Sequence, residues 1–259
     1  MPGDKSISHR AAMIAVMAEG TSRIKNFSTS EDCAATLRCL KQLGLHVSHE
    51  GSDLLIEGLG RDAFSAPVAA LDCGNSGTTL RLLAGILAGQ NFESTLTGDQ
   101  SLRSRPMQRI IEPLQLMGAE ISSTSGHAPL KIRGHAPLEA IEYELLAPSA
   151  QVKSCMLLAG LNANGRTKVT EDQPARDHTE RMLSWFGASI ETGDGEKENE
   201  RFAAINGPAI IQAREVDVPG DISSAAYFIA AAVLLNGSAL KIEHVGLNPT
   251  RSLFLKQIQ

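Results

Sequence analysis

Pro2-Gly3-Asp4-Lys5-Ser6 breaks the chain with small residues and then begins an apolar segment with the pattern of a helix. Three later stretches do the same, at Cys73-Gly74-Asn75-Ser76-Gly77-Thr78, Pro148-Ser149-Ala150-Gln151 and Pro219-Gly220-Asp221-Ile222-Ser223-Ser224. The four helices are predicted to end near glycines that are 69, 76 and 72 residues apart, namely Gly20, Gly89, Gly165 and Gly237. This spacing indicates an internal repeat of about 70 residues.

The repeat also predicts the secondary structure. Apolar periodicity favours helices at about 6–19, 30–43, 77–88, 105–117, 150–162, 176–186, 223–235 and 249–258. Short strands lie between the helices, and each unit closes with a pair of strands, which gives a βαβαββ unit. We therefore predict an α/β fold (α+β in some schemes) of repeated βαβαββ units around a pseudo-threefold axis, with the apolar helices as the shared core and the sheets outside.

The two ends of the sequence look incomplete by the standard of the repeat. The fourth unit stops at Gln259 inside its second helix, and only Met1 precedes Pro2, where the other units have a strand-like stretch. We therefore expect the sequence to be a piece of a longer polypeptide. On this interpretation, residues 4–215 form a first domain of three units, and residues 1–3 and 216–259 belong to a second domain with an incomplete fourth unit.

Composition and charge narrow the class of ligand. The formal net charge is −5 and aromatic residues make up 4% of the chain, which argues against a nucleic-acid partner. Basic residues nevertheless gather beside the repeat breaks, at Lys5, Arg10, Arg81, Arg103, Arg105, Arg109, Lys153, Arg176 and Arg181. Local positive charge within an acidic chain favours a small anionic ligand.

The sequence contains no apolar run of 18 residues, so we expect no membrane partner. The four cysteines form no C-x-x-C pattern. We interpret them as reduced, mostly buried thiols of a cytoplasmic protein, and a metal site is not expected.

Packing the units around a common axis would bring their helix starts together. Helix N-termini carry partial positive charge and free N–H groups, which bind anions. The residues at these starts, Lys5, Ser6, Asn75, Ser76, Ser149 and Gln151, are therefore predicted to surround an anionic small molecule.

Four motifs resemble those of the 5-enolpyruvylshikimate-3-phosphate synthase family, in order along the whole chain. They are Pro2-Gly3-Asp4-Lys5-Ser6-Ile7-Ser8-His9-Arg10, Gly74-Asn75-Ser76-Gly77-Thr78-Thr79-Leu80-Arg81, Ser104-Arg105-Pro106-Met107 and Ser149-Ala150-Gln151-Val152-Lys153. The resemblance implies two domains of three βαβαββ units each, with the active site in the cleft between them. It also implies a transferase of the shikimate pathway of aromatic amino acid and chorismate biosynthesis, and a monomer at full length.

The implied reaction joins two anions. The 5-hydroxyl of shikimate 3-phosphate adds to C2 of phosphoenolpyruvate, and phosphate leaves from a tetrahedral intermediate, without a metal or organic cofactor. By the resemblance, Lys5 contacts phosphoenolpyruvate and takes part catalytically in proton transfer. Ser6 and Arg10 hold shikimate, Arg10 through the ring carboxylate.

The resemblance assigns the remaining site residues to the two substrates. Asn75, Gly77 and Arg105 are expected to bind phosphoenolpyruvate. Ser149, Ala150 and Gln151 are expected to bind the phosphate of shikimate 3-phosphate, with Gln151 bridging to phosphoenolpyruvate and Arg176 completing the phosphate site. Arg81 is expected to be a scaffold residue, Arg103 and Arg109 to face solvent, and Asp4, His9 and Asp221 to serve in turns and packing.

Other functions stay open at this point. A UDP-N-acetylglucosamine enolpyruvyl transferase has a similar fold and reaction, but that family has Lys-Asn where this chain has Lys5-Ser6. A non-catalytic fragment that binds shikimate 3-phosphate, or a purely structural repeat protein, are further alternatives. The resemblance places other catalytic groups in fifth and sixth units, so the 259-residue chain alone is expected to be inactive.

Overall fold

The structure is a computed structural model that describes residues 1–258. Its helices are α1 (Lys5–Met17), α2 (Glu31–Gln42), α3 (Gly77–Ala88), α4 (Gln100–Arg103), α5 (Gln108–Leu116), α6 (Ala150–Gly160), α7 (His178–Trp185) and α8 (Ile222–Leu234), with a 3-10 helix at Leu253–Lys256. Its strands are β1 (Glu19–Lys25), β2 (His46–Glu50), β3 (Asp53–Leu59), β4 (Leu71–Asp72), β5 (Glu93–Thr97), β6 (Glu120–Thr124), β7 (His127–Arg133), β8 (Leu138–Glu139), β9 (Glu142–Glu144), β10 (Ala163–Glu171), β11 (Ile190–Asp194), β12 (Arg201–Gly207) and β13 (Glu215–Asp217).

The four repeat breaks share one local role, because each contains the N-cap of a helix. Asp4, Ser76, Ser149 and Asp221 accept hydrogen bonds from backbone N–H groups in the first turns of α1, α3, α6 and α8. A side-chain oxygen at this position satisfies a donor that the helix leaves unpaired, which stabilises the helix by about 1 kcal/mol. The small polar residues of the breaks thus determine where these helices begin.

Three sheets repeat the same strand order. The orders are β13-β1-β3-β2, β4-β5-β7-β6 and β9-β10-β12-β11, with β8 also pairing β10. In each sheet the first pair is parallel and the next two pairs are antiparallel. This arrangement confirms the predicted α/β fold of repeated βαβαββ units.

The first sheet takes its parallel strand from far along the chain. Strand β13 pairs with β1 in the register Arg23↔Glu215 and Lys25↔Asp217. The expected boundary between residues 215 and 216 therefore falls within a strand that belongs to the first sheet. The division of the chain into two domains stays a prediction.

The helices form the interior, as the sequence predicts. Every residue of α1 from Ser8 to Met17 is buried. Helices α3 and α6 approach so closely that a Cβ at Gly85 would lie 2.2 Å from the carbonyl oxygen of Cys155, a contact that only glycine permits. All four cysteines are free and buried, as expected. Among the described residues, no helix has both the length and the apolar character needed to cross a bilayer.

Two predicted helices differ from the structure. The helix expected at 105–117 begins only at Gln108, because Met107 N–H donates to the carbonyl of Gly126 and Pro106 forms a bridge with His127. The helix expected at 249–258 is reduced to the 3-10 turn at 253–256. Leu253 and Ile258 are exposed, and a short helix without a buried apolar face has little to stabilise it.

Candidate functional site

The starts of α1, α3 and α6 meet around a cavity of about 370 Å³. The cavity collects four cationic side chains and one carboxylate. Its lining is Lys5, Ser6, Arg10, Asp32, Asn75, Gly77, Thr78, Arg105, Gln151 and Arg176. An excess of positive charge beside three helix N-termini favours an anionic ligand. Eight of the ten residues predicted for the site line this cavity.

Arg10 is the buried cation of the site, with 2% of its surface exposed. Its guanidinium donates from Nε to Thr179 Oγ1 at 2.7 Å, from Nη2 to Ser154 Oγ at 2.8 Å and from Nη1 to the carbonyl of Ser6 at 2.9 Å. Burial, and then the neighbouring Arg176, lower the pKa of Arg10 to about 10. The group therefore stays charged at neutral pH, although no carboxylate of residues 1–258 contacts it.

Arg176 lies on the same side of the cavity as Arg10. Its Nη1 donates to Ser6 Oγ at 3.0 Å, which joins the segment before α7 to the start of α1. Burial, and then Arg251, lower the pKa of Arg176. Two guanidinium groups and one hydroxyl thus occupy a small region that suits a dianion.

Lys5 lies at the more exposed side of the cavity and is paired with Asp32. Lys5 Nζ is 2.8 Å from Asp32 Oδ2, and the two side chains are 47% and 29% exposed. Asp32 is in the first turn of α2, where the helix dipole favours an acidic residue. Because the pair is open to solvent, an incoming anion can compete with Asp32 for the ammonium group.

Asn75 and Arg105 form the second anion-facing group. Arg105 Nη2 donates to Asn75 Oδ1 at 2.6 Å, and Asn75 Nδ2 donates to Asp99 Oδ2 at 2.7 Å. The hydrogen bond from Asn75, and then the N–H of Leu102, lower the pKa of Asp99. The amide of Asn75 is thereby held on both its nitrogen and its oxygen, and it orients Arg105 over the start of α3.

Gln151 joins the third unit to the second. Its Oε1 accepts a hydrogen bond from Arg81 Nη1 at 2.7 Å, and its Nε2 donates to Thr78 Oγ1 at 2.9 Å. A Cβ at Gly77 would lie 2.8 Å from Arg81 Nη1 and 3.3 Å from Arg105 Nη1. Glycine is therefore required for both arginines to approach the start of α3 in this arrangement.

The remaining predicted residues lie outside the lining. Ser149 Oγ accepts a hydrogen bond from the N–H of Val152 as the cap of α6, and Ala150 is buried. Arg81 donates to Gln151 from outside the lining, and Arg103 and Arg109 are exposed. Asp4 and Asp221 cap helices, and His9 is packed in the interior with its Nδ1 2.7 Å from Thr36 Oγ1. The roles assigned to the ten site residues stay predictions.

Sequence reasoning missed several residues of the site. Asp32 and Thr78 line the cavity, while Thr179 and Ser154 hold Arg10 from behind. Of these residues, only Thr78 could be found from its neighbours in the sequence, because it directly follows Gly77 within the motif at residues 74–81. Asp32 and Thr179 come from the second helices of their units, and the repeat pattern brings only the first helices to the ligand.

A larger cavity, of about 500 Å³, lies beside α7 but has the wrong charge balance for an anion. Its lining contains three cationic side chains, Lys153, Arg181 and Arg201. It also contains four carboxylates, Glu171, Asp177, Glu180 and Asp194. The smaller cavity at the helix starts is therefore the better candidate for an anionic substrate.

The chain is similar to known proteins along its whole length. The family model described as EPSP synthase (3-phosphoshikimate 1-carboxyvinyltransferase) matches residues 1–259. Relatives named 3-phosphoshikimate 1-carboxyvinyltransferase from Bacillus licheniformis and Alkalilimnicola ehrlichii are 50% and 51% identical over 254 and 255 residues. These matches cover 97% of this chain and 58% and 56% of the relatives. A solved EPSP synthase from Acinetobacter baumannii superposes with a TM-score of 0.89 at 44% identity, over 98% of this chain and 57% of that one. The chain thus spans a little over half the length of these proteins.

Proposed function

The chain belongs to the EPSP synthase family, and on that premise we propose that it takes part in enolpyruvyl transfer from phosphoenolpyruvate to the 5-hydroxyl of shikimate 3-phosphate. The 5-hydroxyl gives its proton to a base as its oxygen forms a bond to C2 of phosphoenolpyruvate and C3 gains a proton from an acid. C3 then loses a proton as the C2–O bond to phosphate breaks, which leaves the enolpyruvyl ether and free phosphate. The proposal rests on one observation, the convergence of four cations around a single carboxylate in one cavity.

The two substrates require different parts of this cavity. Arg10, Ser6 and Arg176 supply charge and hydrogen-bond donors for the carboxylate and phosphate of shikimate 3-phosphate. The start of α6, at Ser149, Ala150 and Gln151, is proposed to contribute to the phosphate site. A bidentate guanidinium suits both anionic groups, and its desolvation strengthens the interaction.

Phosphoenolpyruvate is proposed to bind on the side formed by the first and second units. Lys5 would bind its anionic groups and take part in the proton transfer, while Arg105 holds its phosphate or carboxylate. Gly77 leaves room for this ligand beside the two arginines. Gln151 lies between the two halves, where it can bridge the substrates.

The length of the match limits what this chain is proposed to do alone. It covers 56–58% of the first relatives named above. We propose that the isolated chain binds shikimate 3-phosphate weakly and releases no phosphate from phosphoenolpyruvate. Binding by part of the site follows because Arg10, Ser6 and Arg176 are on this chain, whereas turnover requires the complete set of acid, base and charge-stabilising groups.

Titration calorimetry of the purified chain tests this function. Shikimate 3-phosphate should give a saturable heat, and UDP-N-acetylglucosamine should give none. Arg176→Ala should weaken the binding of shikimate 3-phosphate by about tenfold or more. The matched control is Arg181→Ala, because Arg181 is 66% exposed and paired with Asp177 on the surface. Equal loss in both variants, or a preference for the nucleotide sugar, would contradict the proposal, and phosphate release by the isolated chain would contradict its inactivity.

A further inference from the structure

The guanidinium of Arg10 is held by neutral oxygen atoms rather than by a carboxylate. Its three contacts are the hydroxyls of Thr179 and Ser154 and the carbonyl of Ser6. The nearest acidic residues, Glu180 and Asp4, act on it only through space. A buried arginine usually has a contacting anion, because leaving the charge unpaired is costly. Here the charge is left available for a ligand.

The hydroxyl protons of the two holding residues can be assigned from their partners. Ser154 Oγ donates to the carbonyl of Ala150, so its lone pairs accept from Arg10 Nη2 and from Thr179. Thr179 Oγ1 therefore donates to Ser154 at 2.6 Å and accepts from Arg10 Nε at 2.7 Å. Each hydroxyl donates once, and the network orients Nε and Nη2 without using any negative charge.

A buried ion pair fixes these two hydroxyls in place. Lys153 precedes Ser154 on α6, and Glu180 follows Thr179 on α7. Lys153 Nζ lies 2.7 Å from Glu180 Oε1 and 2.5 Å from Glu171 Oε1, with all three side chains at least 95% buried. The hydrogen bond between Ser154 and Thr179 and the ion pair between Lys153 and Glu180 are therefore adjacent links between α6 and α7. They leave the two hydroxyls that accept from Arg10 little freedom to move.

The donors that remain on Arg10 match a carboxylate. The guanidinium of Arg10 has one N–H group on Nε and two on each of Nη1 and Nη2. Each of the three nitrogens donates one hydrogen bond among residues 1–258. One N–H on Nη1 and one on Nη2 are thus left, which is the number that a bidentate carboxylate accepts. Arg10 also lines the cavity together with Ser6 and Arg176.

We propose that Thr179, with Ser154, is a positioning residue that aims Arg10 at the substrate carboxylate while leaving the charge of the guanidinium unneutralised. The inference rests on the function proposed above, and it adds a specific consequence. Removing the Thr179 hydroxyl should lower the affinity for ligands that carry a carboxylate. The affinity for ligands with only a phosphate should not change, because the contact between Arg176 and Ser6 does not involve that hydroxyl.

Amide-resolved NMR titration of the chain with two ligands tests the inference. Shikimate 3-phosphate carries both anionic groups, and cyclohexyl phosphate carries the phosphate alone. Thr179→Val should lower the affinity for shikimate 3-phosphate by about tenfold and the affinity for cyclohexyl phosphate by less than about twofold. Thr179→Ser restores the hydroxyl and should restore the affinity. Ser154→Ala should show the same selectivity as Thr179→Val, and it decides the question if the valine variant does not fold.

The matched control is Thr167→Val. Thr167 is fully buried in β10, and its hydroxyl has no hydrogen-bond partner within the described residues. This variant should bind both ligands like the parent chain. Equal losses for both ligands in Thr179→Val and Ser154→Ala would mean that the hydroxyls only support the fold, and would overturn the inference alone. Failure of the parent chain to bind shikimate 3-phosphate would overturn the proposed function and the inference with it.

Discussion

Arg81 donates a hydrogen bond from Nη1 to Gln151 Oε1 at 2.7 Å, so a side chain of the second unit orients a side chain of the third. Gln151 is held on its other side by Thr78 at 2.9 Å. Arg81 Nη2 also donates to the carbonyl of Pro106 at 3.3 Å. The position of Gln151 in the cavity therefore depends on an arginine that does not line it.

Gly77→Ala should disturb this arrangement and leave the fold intact. A methyl group at residue 77 would lie 2.8 Å from Arg81 Nη1 and 3.3 Å from Arg105 Nη1, so both side chains have to shift. Such overpacking typically costs 1–3 kcal/mol, and we expect phosphoenolpyruvate affinity to fall by about tenfold. Calorimetry in the presence of saturating shikimate 3-phosphate measures this. Shikimate 3-phosphate affinity should change by less than about threefold, and an equal loss for both substrates would contradict the prediction.

Asp32→Asn should strengthen anion binding. Among the described residues, Asp32 supplies the one carboxylate of the cavity lining, and its Oδ2 lies 2.8 Å from the ammonium group of Lys5. With saturating shikimate 3-phosphate present, removing its charge should raise the affinity for phosphoenolpyruvate, the ligand proposed for Lys5, by about three- to tenfold at low ionic strength, and salt should reduce the gain. Stability should change by less than about 1 kcal/mol, because the pair is partly exposed.

Glu31→Gln is the matched control for Asp32→Asn. Glu31 shares the first turn of α2 and is 80% exposed, but it pairs with Arg38 outside the cavity. Its variant should bind like the parent chain at every salt concentration. The Asp32 prediction is wrong if its variant binds no better than the Glu31 variant.

The sequence predicts those parts of the site that depend on local chemistry. Asp4, Ser76 and Ser149 cap helices by interactions within three residues, so the breaks, the repeat and the convergence of the helix starts can all be predicted. Thr179 cannot be found in this way, because it acts on Arg10 from 169 positions away. In the sequence it is an ordinary threonine near the start of a helix.

Lys153→Met should destabilise the chain strongly. Burial alone would lower the pKa of Lys153, but Glu180 and Glu171 together raise it. Without the ammonium group, two carboxylates stay buried 95% or more, which typically costs 3–5 kcal/mol. Urea denaturation measures the free energy of unfolding. Lys131→Met is the control, because Lys131 is 56% exposed in its pair with Glu93 and should contribute less than about 1 kcal/mol. Similar losses in both variants would refute the expectation.

The free energy of unfolding should fall as pH drops below about 6.5, because two histidines are buried in the neutral form. Burial, and then Arg10, lower the pKa of His9 to about 3 and that of His178 to about 4. In the unfolded chain these histidines take up protons near pH 6.5, whereas in the folded chain they do so only near their lowered pKa values. Their contribution is therefore complete above pH 6.5 and is lost progressively as pH falls towards 4 and 3.

Each of these histidines should add up to about 1.4 kcal/mol per pH unit to the slope of stability against pH, below about pH 5.5. His9→Asn keeps a donor near the position of Nδ1, which lies 2.7 Å from Thr36 Oγ1, and should reduce the slope by that amount. His178→Asn should do the same. Urea denaturation between pH 7.5 and 4.5 measures the slope. His46→Asn, at an exposed position in β2, is the control for the effect of the substitution on stability at pH 7.5. The explanation fails if the slopes of the His9 and His178 variants equal that of the parent chain, because acid sensitivity would then come from carboxyl groups alone.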